Sequence, residues 1–156
     1  MNLTREIVER GVASIRLIFG DSLARPEYLA RYKVADLFLD TQPYNAGTTA
    51  SDALKMGLPM LTLKGKSYQA RMGASIVNAV NLPELITNTP EEYEALAIEL
   101  GNNPDKMKAI KEKLQANLST APLFNTKLFT KNLESAYTQM YERHHKGLEP
   151  DHINVD

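Results

Sequence analysis

Between positions 45 and 52 the chain reads Asn-Ala-Gly-Thr-Thr-Ala-Ser-Asp, a run of small and hydroxyl-bearing residues ending in a carboxylate. Such a run suits the first turn of a helix, where backbone N–H groups lack partners and the helix dipole favours negative charge. Asn45 stands at the approach, and Gly47 lets a ligand come close to the backbone. Thr48 and Thr49 add hydroxyl donors at the same point, so together these residues make a cradle for a diphosphate. Asp52, one turn along, is placed to meet the hydroxyls of a ribose. A plainer account uses the same residues: Thr48 caps the helix and Asp52 complements its dipole. The residue types leave these two accounts equally open.

A second cluster is Arg25, Tyr28 and Arg31. Tyr28 offers a face for stacking a base, and the two arginines offer charge to phosphate, ribose or base oxygens. Taken singly, each is an ordinary surface residue. Their interest is that both clusters follow a strand, and in a parallel sheet the loops after strands open on one rim.

The elements that must hold these residues alternate in type. Residues 2–10 read as a short helix closed by Gly11, and the run Ile15 to Phe19 as a strand buried on both faces. Pro26 suits the first residue of a helix reaching about Lys33. Leu37 to Leu39 is a second strand, and Asp40 to Gly47 its loop. Thr48 to Met56 forms a small-residue helix stopped by Gly57, and Pro59 to Leu63 a third strand. Ser67 to Val80 is helical, and Glu84 to Thr87 a short fourth strand. Thr89-Pro90-Glu91-Glu92 is a capping box opening a helix that Gly101 closes. Asn103-Pro104 opens another to about Leu118, and Ser119 to Asn125 is a loop. Lys127 to Lys146 is a long helix with Phe129, Leu133, Ala136, Tyr137 and Met140 on one stripe; residues 147–156 read as a frayed tail. Strands joined by helices imply an α/β fold, a Rossmann-like three-layer parallel sheet, over residues 1–118, with a helical C-terminal tail at 119–156.

Composition narrows the function classes. A net charge of −1 and 24% charged residues give no polyanion-binding surface, so nucleic acid is not an expected partner. The absence of cysteine excludes disulfides and thiolate metal sites. No apolar run reaches membrane-spanning length, and Arg5, Glu6, Glu9 and Arg10 interrupt the place of a signal peptide's apolar core. A cytoplasmic location with no membrane partner is the expectation. His144 and His145 project about 100° apart on a helix and, with His152, read as solvated surface rather than metal ligands. The lysine run at positions 106, 108, 111 and 113 is the wet face of a helix with Met107, Ile110 and Leu114 inside. Arg71 and Ser75 share a helix face near the rim, where local hydrogen bonding is the simpler role and shaping of a donor pocket the sharper one. Met56, Met60, Met72 and Met107 suit core filling.

The segments ADLFLDT, YNAGTTASDAL, GLPMLTL and PLFNTK, in that order, resemble the C-terminal catalytic half of the O-linked N-acetylglucosamine transferases and SPINDLY-like proteins. The resemblance runs from Arg16 to Leu85 and again from Ala121 to Tyr141. It implies the C-terminal half of a GT-B glycosyltransferase, a fold of two facing Rossmann-like halves usually preceded by tetratricopeptide repeats. It implies a UDP-sugar donor, UDP-N-acetylglucosamine, and inverting transfer to a Ser or Thr hydroxyl of a protein, with no cofactor and no metal. By position, Thr48 and Thr49 match the family's diphosphate-holding pair, Asp52 its ribose-contacting aspartate, and Arg31 an arginine near the base. Arg25 falls where the family commonly has a lysine near the ribose, which keeps charge but changes geometry. Tyr28 falls where a histidine often stacks on the uracil, and Gly47 replaces a histidine of animal relatives.

The same resemblance places the catalytic base, the acceptor groove and the phosphate-contacting lysine outside this chain, so no catalytic residue is expected here and the isolated chain is expected to be inactive. It also places the first two strands of this half before residue 1. The strand expected at Ile15 to Phe19 would then pair directly beside Leu37 to Leu39, or another copy of the chain would fill the gap through the exposed sheet edge as a homo-oligomer. Acceptor protein would bind through the missing N-terminal half. Two other readings stand beside the transferase: a UDP-sugar epimerase-like half, and a non-catalytic nucleotide-binding or assembly fragment.

Overall fold

Pro59 and the residues after it form the strand on which the fold is built. A computed structural model describes residues 2–155. In it β2 (Met60–Leu63) is the middle strand of a three-stranded parallel sheet in the order β1-β2-β3, with β1 at Phe38–Leu39 and β3 at Ile86–Thr87. Phe38 pairs with Met60 and Leu39 with Leu61, while Thr62 pairs with Ile86 and Leu63 with Thr87. The ladder extends past the strand ends through Asp40 N to Leu61 O at 3.0 Å and Lys64 N to Thr87 O at 2.9 Å. β2 is almost wholly buried, which is why its sequence runs apolar instead of alternating.

Helices supply the cover. α3 (Thr48–Lys55), α4 (Tyr68–Ala79) and α5 (Pro90–Asn102) pack on β2, and α6 (Pro104–Asn117) packs on α5. The core joins Leu54 of α3, Met60 of β2, Val77 of α4, Leu100 of α5 and Ile110 and Leu114 of α6. Each fully buried side chain of this kind contributes about 1.5–3 kcal/mol over its exposed state. α4 meets the sheet through Ala70, Gly73, Ala74 and Val77, the buried residues of one face. Small residues there let the helix approach closely.

The caps follow the expected chemistry. Ser67 accepts from Ala70 N, Thr89 from Glu92 N, Asn103 from Lys106 N and Asn125 from Leu128 N. The Glu92 carboxylate returns to Asn88 N at 2.8 Å, completing the capping box one residue earlier than usual. Gly57 follows α3 at φ +83°, and Gly11 follows α1 (Leu3–Glu9) at φ +77°, both left-handed positions that favour glycine.

Several expectations need correction. The strand expected at Ile15 to Phe19 does not form. Ser14–Arg16 is a 3-10 turn followed by extended chain, and Ile15, Ile18 and Phe19 are 84%, 85% and 66% exposed. An apolar run becomes a strand only when a neighbour satisfies its backbone groups, and none lies beside it. Nor does this segment pair beside β1, whose outer edge carries no strand among the described residues. The fourth expected strand shortens to Ile86–Thr87 because Pro83–Leu85 is a 3-10 turn. Gly101 does not close α5, which runs on to Asn102, where Asn103 and Pro104 impose the break. Part of the loop after α6 is a 3-10 turn at Pro122–Phe124.

α2 (Arg25–Arg31) begins with Pro26 in its first turn and continues as a 3-10 turn over Tyr32–Val34. α7 (Thr126–His145) has no buried residue, so its stripe of Phe129, Leu133, Tyr137 and Met140 lies open instead of covering a core. The tail does not simply fray: Arg143 donates to Glu149 O and approaches Asp151 at 3.5 Å, folding it back on α7.

Candidate functional site

The loop from β1 to α3 is organised by Asp40. Its carboxylate is buried and fully used. Oδ1 accepts from Thr41 N at 2.9 Å and Ala46 N at 2.8 Å, and Oδ2 accepts from Thr62 Oγ1 at 2.6 Å. Its backbone carbonyl accepts from the Tyr93 hydroxyl at 3.0 Å. Burial and the nearby Asp40 charge push the Tyr93 phenol up from its ordinary value. Asn45, also buried, spans the gap to α4. Its backbone N donates to Gln69 O at 3.2 Å, its Oδ1 accepts from Gly73 N at 3.2 Å, and its Nδ2 donates to Thr41 O at 3.0 Å. Asn45 is therefore a brace of the loop, not a group facing a ligand.

These bonds deliver Gly47 to the N-cap of α3 with φ −106° and ψ −89°, and no side chain caps that helix. Every other helix of eight or more residues has a side-chain cap. Thr48 and Thr49 are the first two helical residues and both are exposed. The account in which Thr48 caps the helix fails on this geometry, because Gly47 occupies the cap position. The first-turn N–H groups are thus left without a side-chain acceptor at an exposed helix start.

Asp52 is 9% exposed and turns toward α2. Its Oδ1 accepts from Arg25 Nη2 at 2.8 Å, while Oδ2 is buried without a hydrogen-bond partner. It does not reach outward on its own as expected. Arg25, more exposed, carries the pair to the surface. A buried carboxylate oxygen without a partner is costly, so this atom marks a place where a donor group would be stabilised.

Tyr28 is held by neighbours that sequence reasoning did not include. Its hydroxyl makes a short hydrogen bond with that of Tyr32, four residues on, and the two rings meet edge to face with centroids 5.2 Å apart. Tyr32 also reaches Thr49 O at 3.4 Å, tying the α2 cluster to α3. Burial and the Tyr28 hydrogen bond push the Tyr32 phenol well up from 10.0. The guanidinium carbons of Arg25 and Arg31 lie 5.8 Å and 6.0 Å from the Tyr28 ring centroid. Arg31 donates to Asp21 O at 2.9 Å.

The two expected clusters thus meet on one rim through Arg25–Asp52 and Tyr32–Thr49. Asp40, Thr62, Gly73, Tyr32 and Tyr93 were missed. A charge terminating the apolar run 37–39 was a signal for Asp40, and the 28/32 tyrosine spacing for Tyr32. Gly73 shows in the small residues at 70, 73 and 74. Among the described residues, no group of three or more His, Asp or Glu is placed to hold a metal. No helix among the described residues is long and apolar enough to cross a membrane.

The rim of this α/β unit thus combines an uncapped helix start with an edge-to-face tyrosine pair and an arginine–aspartate pair. The sequence model of glycosyl transferase family 41 matches residues 1–133, and the chain belongs to that family. It is 37% identical over 147 residues to the probable UDP-N-acetylglucosamine–peptide N-acetylglucosaminyltransferase SEC of Arabidopsis thaliana, covering 94% of this chain and 15% of that protein. It is 32% identical over 152 residues to the corresponding transferase of Caenorhabditis elegans, covering 97% of this chain and 13% of that protein. Among solved structures, a mutant of the Thermobaculum terrenum O-GlcNAc transferase superposes with a TM-score of 0.82 at 36% identity. That match covers 89% of this chain and 27% of the other. The chain therefore spans a small part of the relatives it matches, and its fold is that of a portion of a GT-B glycosyltransferase.

Proposed function

We propose that this chain is the UDP-sugar donor-binding part of a protein O-N-acetylglucosaminyltransferase-like enzyme. The observation that carries the reading is the open N-terminus of α3, where Gly47 takes the cap position and exposed Thr48 and Thr49 begin the helix. Thr48 and Thr49 hold the diphosphate with the first-turn N–H groups. Arg25 and Asp52 take the ribose, a hydroxyl of which supplies the partner that Asp52 Oδ2 lacks. Tyr28 stacks on the base, and Arg31 lies beside it. Asn45 and Gly47 serve by shaping the loop. The named activities of the similar Arabidopsis and nematode proteins support UDP-N-acetylglucosamine as donor and a polypeptide as acceptor.

Titration of the chain with UDP, UDP-N-acetylglucosamine and ADP, followed by NMR at residues 48–52, tests this. Both uridine ligands are expected to shift these signals and ADP to shift them less. An equal response to ADP, or none to any of the three, removes the donor assignment. Asp52→Asn separates ribose from phosphate: it is expected to weaken UDP about tenfold, the cost of about 1.4 kcal/mol, and to leave pyrophosphate binding unchanged. Equal loss of both ligands would assign Asp52 to loop structure instead.

Transfer by the chain alone is not expected, since the groups assigned here bind and orient the donor without supplying a base. A turnover assay with UDP-N-acetylglucosamine and an acceptor protein checks this, and sugar transfer by the pure chain would overturn it. Self-association is proposed from the unpaired edge of β1 and the exposed Ile15, Ile18 and Phe19. Sedimentation equilibrium is expected to give a mass above 17.4 kDa; a monomer at every concentration would contradict it.

A further inference from the structure

A cleft of about 520 Å³ runs along α4 on the side of β3, within the size range of ligand sites. Neither Thr48 nor Thr49 lines it. Its charged lining residues are Lys64 and Arg71, and no carboxylate joins them. Neither cation forms an ion pair among the described residues, so both can meet an anion in the cleft. Tyr68, Ser75 and Asn78 add an aromatic face, a hydroxyl and an amide to the same wall. Two like charges beside one cleft attract an anion and repel a cation.

The shape selects the kind of anion. The lining extends from Tyr68 to Asn78 along one helix, about 15 Å at 1.5 Å per residue. A free carboxylate or phosphate fills only a fraction of that length. An extended polypeptide of about four or five residues matches it at about 3.3 Å each, and Ser75 and Asn78 can pair with its backbone. The cleft also abuts the donor rim. Met72 lines it, and the Met72 sulfur lies 2.9 Å from where a Cβ on Gly47 would stand.

We infer that this cleft binds an acidic stretch of the acceptor polypeptide distant from the modified residue, with Lys64 and Arg71 pairing its carboxylates beside the donor phosphates. This contact on the chain is additional to the acceptor groove expected in the other half. The inference rests on the transferase reading for the identity of the polypeptide as acceptor. Recognition itself rests on the unpaired charges and the length of the cleft. The electrostatic contribution weakens as salt rises.

The test is an NMR titration of the whole chain with a capped peptide carrying four consecutive glutamates, its glutamine counterpart, inorganic phosphate and UDP. The glutamate peptide is expected to shift Lys64, Tyr68, Arg71 and Ser75. The glutamine peptide and phosphate are each expected to bind at least about tenfold more weakly, the step of about 1.4 kcal/mol. Lys64→Gln combined with Arg71→Gln is expected to weaken the glutamate peptide by a similar factor and leave the UDP response at residues 48–52 in place. Equal binding of the glutamine peptide, equal binding to the double variant, binding of phosphate as strong as the peptide, or displacement of the peptide by UDP would each overturn it. A peptide response in a chain that ignores UDP would retain the acidic-segment site and remove the donor reading. The opposite result would remove this site alone.

Discussion

Replacing Gly73 by alanine is expected to destabilise the chain by about 3 kcal/mol, the sum of an overpacking cost and disrupted charge-assisted hydrogen bonds. A Cβ at this position would stand 2.3 Å from Asp40 Oδ2, 2.4 Å from Thr62 Oγ1 and 3.2 Å from Thr62 Cβ. None of these atoms is the loose end of a long side chain. Asp40 is fixed by Thr41 N and Ala46 N, and Thr62 lies in the central strand with no exposed surface. Either α4 moves off the sheet or the Asp40–Thr62 bond breaks, and both disturb the loop that carries Asn45 and Gly47. For a chain of this size the unfolding midpoint should fall by about 6–12 °C. Thr62→Ala in the Gly73→Ala background should recover only part of the loss, because Asp40 stays in the way. Thermal unfolding followed by circular dichroism measures both, and an unchanged midpoint would mean that the close approach of α4 to Asp40 is misplaced.

Thr48→Ala combined with Thr49→Ala is expected to weaken UDP binding at least about a hundredfold while leaving the fold intact. Two hydrogen bonds to a charged group at about 1.5–3 kcal/mol each, with 1.4 kcal/mol per tenfold, set the scale. The first-turn N–H groups remain in the variant, so a residual affinity should survive. Stability should change by less than about 0.5 kcal/mol, because both side chains are exposed and neither caps α3. Calorimetric titration with UDP, paired with a melting curve of the same sample, separates binding from folding. Full UDP affinity in the double variant would place the diphosphate elsewhere. A parallel loss of affinity and stability would make the threonines structural.

These two variants probe different levels of the same construction. Gly73 acts through packing: it admits the helix that anchors Asn45, and so sets where the loop ends. The threonines act at the surface which that packing exposes. Variants at Tyr32 belong between them, since its hydroxyl links Tyr28 on α2 to the Thr49 carbonyl on α3.

Much of this protein was legible in the order of its residues. The capping residues Ser67, Thr89 and Asn103 set helix starts by local hydrogen bonds, and Gly57 set a stop by its backbone freedom. The apolar run at 60–63 could only be a buried strand. The Gly-Thr-Thr sequence at 47–49 marked a helix start without saying whether Thr48 caps it, and four ordered segments carried the family. Local chemistry decides such features, so a short window contains them.

Tertiary structure decided the rest. The run at 15–19 is as apolar as a buried strand, yet it remains exposed, because strand formation depends on a neighbour that local sequence does not supply. The stripe on α7 has helical spacing but no surface to cover. Asp52 turned from a free ribose ligand into the partner of Arg25, 27 positions away in sequence. Asp40, in contact with Thr62, became the organiser of the loop. Sequence by itself determined most of the helices, their caps and the buried strand at 60–63, and which residues carry chemistry that suits a donor. Only the packing of α3 and α4 on β2, with α2 tied to α3, decided which of them meet, since burial and long-range hydrogen bonding exist only once the chain has closed on itself.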